Sequence, residues 1–237
     1  MNSTVEQLLE LRQVLLRCFL SIALVFIALL FYAKQLYTTL AQPLLKFLPP
    51  NSQMIAIDVA TPFLVPMKLA LTLAIFIAIP FVLYQLWKFI APGLYQHEKK
   101  FFMPVFLSSL TLFYGGILFA YFIVLPMTFS FFIYSAPAGV TVMTDIASYL
   151  NFVLKMFFAF GLAFQIPILI LVLCKLNILN PVTLSAQRPY VIIGAFVIGM
   201  LLTPPDVISQ TLLAIPLWIL FEVGLWFAKK SKTNTPY

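Results

Sequence analysis

Long apolar runs, interrupted by short charged or proline-rich clusters, organise this chain. Six of them approach the roughly 20 residues that a helix needs to cross a hydrocarbon core. They lie at about 16–36, 69–87, 102–125, 153–174, 189–205 and 207–227. No period-two alternation runs through them, and backbone groups in lipid must pair internally, so helices are predicted rather than barrel strands. The charge-free stretch from Phe101 to Thr144 is too long for one span. Its turn-prone end, SAPAGVTVMTD from Ser135, predicts one span followed by an outer loop. The fifth run would make a helix roughly 26 Å long at 1.5 Å per residue. That is short of a core of about 30 Å, which a locally thinned bilayer is one way to accommodate. The sixth is short too, unless Glu222 and Trp226 carry its helix on to the interface. Pro80, Pro167 and Pro216 fall inside the even-numbered runs and predict kinks. Pro43, Pro49, Pro50, Pro62 and Pro66 crowd the first outer segment and predict a stiff, proline-rich outer cap.

Composition turns this pattern into a class. The 237 residues are 63% hydrophobic and 9% charged, where a soluble domain carries about 25% charged residues. Such a chain cannot cover its own surface in water, so an all-α integral membrane protein is expected, a single domain over 1–237 with a lysine-rich tail at 228–237. The formal net charge of +7 then predicts basic residues held at the cytoplasmic face, not a nucleic-acid footprint. Six spans put Arg12, Arg17, Lys88, Lys99, Lys100 and most other basic residues on one side, leaving Lys34, Lys46 and Lys68 on the other. Both termini are therefore expected to be cytoplasmic. Glu6 and Glu10 precede the first run, which reads as a retained span rather than a cleaved signal. Cys18 and Cys174 both lie near the reducing cytoplasmic face on this topology, and no disulfide is expected.

Charge is so scarce that each acid is informative. Ser3 and Glu6 have capping-box spacing, which starts a helix ahead of the membrane. Leu8, Leu11 and Leu15 form an apolar stripe along it, while Glu6 and Glu10 share a face. Glu98 stands beside Lys99 and Lys100 in APGLYQHEKKF, the loop after the second span. Glu10 and Glu98 thus share one surface rich in cations. Taken alone, Glu98 reads as a complement to the positive end of the third helix, and Glu10 as a partner of Arg12 or Arg17. Together they suit a ligand with fixed positive charges, because a carboxylate takes a guanidinium bidentately in bonds worth roughly 1.5–3 kcal/mol each.

The segments LLELRQVLLRC, FIAPGLYQHEKKF, TDIASYLNFVLKMFFAFG and RPYVIIGAFVIGMLLTPPDVISQTLLAIP, with the six-span layout, resemble TatC, the signal-recognition component of the bacterial twin-arginine translocase. The resemblance extends over nearly the whole chain. It implies a receptor and core subunit in the inner membrane that binds the twin-arginine signal peptides of folded passengers. It also implies work with the single-span subunits TatA and TatB and further TatC copies, driven by the proton-motive force. Glu10, Arg12 and Glu98 match its signal-peptide-binding positions, and the adjacent lysines then discourage other cations and hold the loop to anionic lipid. Gln165 stands where the family often has glutamate at a place associated with TatA and TatB. Glutamine keeps the hydrogen bonding but cannot ionise, so a docking role is retained and a titrating one is not. Met200, Phe63 and Phe89 also match family positions, but read on their own they are simply apolar.

Read from the residues alone, Gln165 is a polar side chain near Pro167 that suits either a freed carbonyl or a neighbouring helix. Lys155 reads as an interfacial anchor, and Asp145 and Asp206 as caps or supports at the outer helix ends. One histidine and two cysteines give no metal-site or nucleophile pattern, so neither an enzyme nor a cofactor is expected. The competing function is a secondary transporter of a small solute or ion, which would gather ionisable groups near the midplane. Here the acids cluster at the faces.

Overall fold

The apolar runs become helices, and the described parts of the breaks between them form caps, turns and one very small sheet. The structure, a computed structural model, describes residues 2–47, 54–90, 102–135, 144–176, 178–202 and 207–233. The order is α1 (Asn2–Leu30), α2 (Ala33–Phe47), β1 (Met54–Ile55), α3 (Thr61–Ile90), α4 (Phe102–Phe119), a π turn (Ala120–Val124), α5 (Leu125–Tyr134), β2 (Thr144–Asp145), α6 (Ile146–Ala163), α7 (Ile166–Lys175), α8 (Pro181–Ala186), α9 (Arg188–Leu202) and α10 (Val207–Thr233). Five helical stretches among the described residues are long and apolar enough to cross a membrane: Leu9–Leu30, Thr61–Leu86, Met103–Ile133, Ile146–Lys175 and Gln210–Lys230. Arg188–Leu202 is apolar but shorter. The chain is a multi-pass membrane protein.

Most boundaries differ from those expected, each for a local reason. The second stretch starts at Thr61 rather than near 69, because the Thr61 amide donates to the Asp58 carbonyl at 3.1 Å and Pro62 brings a preset φ to the first turn. The third continues to Tyr134 rather than stopping near 125. Pro126 cannot donate into an α ladder, but just before it the ladder slips to a π turn in which the Leu125 amide reaches the Ala120 carbonyl. The fourth begins at Ile146, not 153, because Asp145 caps it. Lys229 and Lys230, expected in a tail, extend α10. Where a proline-stiffened loop was expected, α2 is a regular helix that includes Pro43. Pro49 and Pro50 lie outside the described residues.

Close contacts divide the chain into two units, residues 1–110 with 136–154 and residues 111–135 with 155–237. In the first, α1 and α2 pack on α3, whose Val65, Leu69, Ala70, Ala74 and Phe76 are buried. The rest of α1 is open, with Leu15, Phe19, Leu24 and Ile27 exposed for lipid to cover. β1 and β2 pair in parallel, Met54 opposite Thr144 and Ile55 opposite Asp145. Lys68 donates to the Asn151 side chain, tying α3 to α6 within this unit.

In the second unit α10 is the hub, packing on α7, α8 and α9. Burial against lipid gives side chains little advantage, so helices in a membrane associate through close van der Waals contact at small residues. Gly116 shows this: a Cβ there would fall 2.5 Å from the Phe160 carbonyl oxygen. Phe119 then tilts against both Phe160 and Phe164 at 5.6 Å. Gly224 does the same for α10, where a Cβ would lie 2.7 Å from the Pro167 Cα. Ile170, Cys174, Phe221, Leu225 and Ala228 form the adjoining cluster. Cys18 and Cys174 are both buried as thiols, with no disulfide between them.

Candidate functional site

The acids singled out in the sequence meet different fates. Glu10 lies near the start of α1, exposed, with exposed Arg12 two residues on. A carboxylate so placed is open to a guanidinium from outside. Glu98, with Lys99, Lys100 and the rest of 91–101, lies outside the described residues, as does Asp206. The side chains of Ser3 and Glu6 likewise lie outside the described ones. Leu11 and Leu15 of the N-terminal stripe are exposed.

Asp145 is the best-defined acid. It sits immediately before α6 and accepts from the Ser148 amide at 2.9 Å and the Ser148 hydroxyl at 2.8 Å, both on Oδ2. Those two bonds, the amide's first, hold its carboxyl below the usual carboxylate range. Oδ1 is closed off and makes no hydrogen bond of good geometry among the described residues. The Ala147 and Ile57 amides nevertheless favour the charged form through their dipoles. Tyr37 of α2 points its hydroxyl at the Met54 sulfur, 3.9 Å away. Burial, then the Asp145 charge, pushes that phenol upward. One small cluster therefore gathers α2, β1, β2 and the start of α6.

Gln165 falls in a break. The fourth stretch is two helices, α6 and α7, joined by a tight turn at Phe164–Gln165, with Pro167 in the first turn of α7. The Gln165 amide reaches back only three residues, to the Leu162 carbonyl at 3.0 Å, while its own carbonyl accepts from Leu169 at 2.9 Å. It is half-buried, and its side chain makes no capping bond. Lys155 on α6 is exposed, as are Phe63 and Met200. The Phe89 side chain lies outside the described ones.

Sequence reasoning missed an ion pair in the second unit. Arg188, first residue of α9, grips Glu222 of α10 through two atoms: Nε to Oε1 at 2.7 Å and Nη2 to Oε2 at 2.8 Å. The two side chains are 46% and 28% exposed, so water screens the pair. A signal was present: both residues lie equally far from Pro205, so an antiparallel α9–α10 hairpin sets them side by side. Two apolar grooves flank α10. One, of about 500 Å³, is lined by Phe119, Ile123, Met127, Thr211, Leu212 and Pro216. The other, of about 480 Å³, is lined by Leu162, Ile166, Val191, Gly194, Ile198 and Leu217. No group of three or more metal-ligating side chains occurs among the described residues.

These features fit a membrane component that binds through its surfaces, and comparison with known proteins specifies which. The family model for the Sec-independent protein translocase protein TatC matches residues 6–216. A Haemophilus influenzae protein of that name is 53% identical over 95% of this chain and 88% of its own length. Its Escherichia coli K12 counterpart is 50% identical over 95% and 87%. A crystal structure described as the twin-arginine translocase receptor TatC superposes with a TM-score of 0.86 at 38% identity, covering 95% of this chain and 99% of that one. The chain belongs to the TatC family and is a component of the Sec-independent, twin-arginine protein translocase, a transport subunit rather than an enzyme.

Proposed function

We propose that this chain is the receptor subunit of its translocase, binding the twin-arginine signal peptides of folded proteins through Glu10, Glu98 and Arg12. The observation that carries the reading is the exposed Glu10 carboxylate at the start of α1, with Arg12 beside it. A carboxylate in that position can accept a planar guanidinium fork, which a lysine ammonium cannot reproduce. The solved relative is itself described as a receptor, which supports the same role here.

In this reading six helices span the inner membrane, α9 being the short one, and both termini are cytoplasmic. The excess of lysine and arginine on that side supports the orientation. The two grooves beside α10 are apolar and open, suited to the single helices of TatA and TatB. Gln165, at the break in the fourth span, offers those partners a hydrogen-bonding point with no titrating carboxylate. Asp145 and Asp206 support the outer ends of the spans. Further copies of the chain and the proton-motive force complete the machine.

The test is photocrosslinking of a twin-arginine signal peptide to membranes containing the protein, comparing wild type with Glu10→Gln and Glu98→Gln. Arg-Arg peptides should crosslink to wild type and fail with folded variants, while Lys-Lys peptides crosslink weakly throughout. Undiminished Arg-Arg crosslinking in both variants would remove the acids from recognition.

A further inference from the structure

The C-terminal end of α10 carries an exposed aromatic and basic stripe. Val223, Trp226, Phe227 and Lys230 are exposed at helical spacing, while Phe221, Leu225 and Ala228 on the other face are buried. Trp226 is 58% exposed and meets Phe227 edge-on at 4.9 Å. Lys230 sets its ammonium 5.2 Å from the centre of the Trp226 ring. The acid on this part of the helix, Glu222, is gripped by Arg188. The Lys230 charge therefore rests on an indole face rather than on a carboxylate.

We propose that this end of α10 binds the phosphate of an anionic phospholipid headgroup. Resting on the reading of α10 as a span, the stripe runs from aliphatic to aromatic to cationic just where hydrocarbon gives way to headgroups. Tryptophan favours that depth, and lysine extends from it toward the phosphates. Val223 and Phe227 lie along the upper acyl chain. Trp226 holds the ammonium at headgroup level, and the Arg188–Glu222 pair keeps the local acid from competing with the lipid. A zwitterionic headgroup presents its own cation and is not expected to be enriched.

The experiment uses the full chain with Trp87→Phe and Trp218→Phe, leaving Trp226 as the fluorophore. It is reconstituted in vesicles holding phosphatidylcholine and phosphatidylglycerol at one fixed ratio. Bromine quencher is placed on either lipid at the same mole fraction. Quenching should be stronger from brominated phosphatidylglycerol, by a local enrichment of roughly fivefold for one lysine near the surface. Lys230→Gln should abolish that preference. Equal quenching by both lipids, or a preference that survives Lys230→Gln, overturns the site while leaving α10 in contact with lipid. Absence of quenching by either lipid overturns the site together with the reading of α10 as a span.

Discussion

Replacing Gly116 by alanine tests the close approach of α4 to α6 within the second unit. The added Cβ would come 2.5 Å from the Phe160 carbonyl oxygen and 2.9 Å from its carbon. Ordinary carbon–oxygen contacts lie at about 3.3–3.6 Å, so the two helices must part by up to about 1 Å. Overpacking of that kind costs about 1–3 kcal/mol, against a propensity gain of up to about 1 kcal/mol for alanine over glycine. Subtracting the full gain leaves a net loss of about 0–2 kcal/mol, up to roughly a 30-fold change in the folding equilibrium. Gly115 supplies the control, since a Cβ there meets nothing within 4 Å. Gly115→Ala carries the same propensity gain without the clash. The difference between the two variants isolates the packing cost. The assay is equilibrium unfolding in mixed micelles of rising SDS fraction, followed by loss of helical circular dichroism. Gly116→Ala should unfold earlier than wild type and Gly115→Ala no earlier. Identical midpoints for the two variants would refute the close approach of this helix to Phe160.

Acid should loosen the Asp145 cluster, and the sign follows from the lowered carboxyl. Its stabilising contribution is complete above the unfolded carboxylate pKa of about 3.9 and is lost as pH falls through the lower folded value. Amide exchange at Ser148, corrected for intrinsic rates, should stay flat from pH 7 to 5 and rise only in stronger acid, whereas loosening that begins near pH 6 would contradict the assignment. The Arg188–Glu222 fork is partly exposed, so a double-mutant cycle with Arg188→Lys and Glu222→Gln should give a coupling of about 0–1 kcal/mol. A coupling of several kcal/mol would mean the pair is shielded from water.

The sequence made the helices legible, because apolar runs of spanning length have few other solutions in lipid. Their ends were harder. Proline breaks an α ladder, but one extra residue of π winding lets the third span's helix pass Pro126 and run on to Tyr134. Thr61–Pro62 reads as loop when counted among the outer prolines, although proline in a first turn begins a helix as readily as it ends one. Asp145 directly before an apolar run carried a usable cap signal. The Arg188–Glu222 pair was concealed by a separation of 34 positions along the chain, and only the equal distance of its partners from Pro205 could have exposed it. The glycine contacts could not be read from a single sequence, because Gly115 and Gly116 look alike until the neighbouring helix is in place.

The π turn has a genetic consequence. From buried Gly116 to buried Thr128 the helix buries Ala120 and Val124 at steps of four, with Leu125 buried beside Val124. These steps of four are slightly longer than the 3.6 residues of an ordinary turn, and the wider winding at Ala120–Val124 absorbs the surplus. Removing one residue from Tyr121–Ile123 would turn the bulge back into α-helix and leave the positions on either side facing as they do now. A single-codon deletion elsewhere in the same helix would swing everything beyond it by about 100°, one residue's share of a 3.6-residue turn. Relatives that vary in length within this helix should therefore do so at this one place.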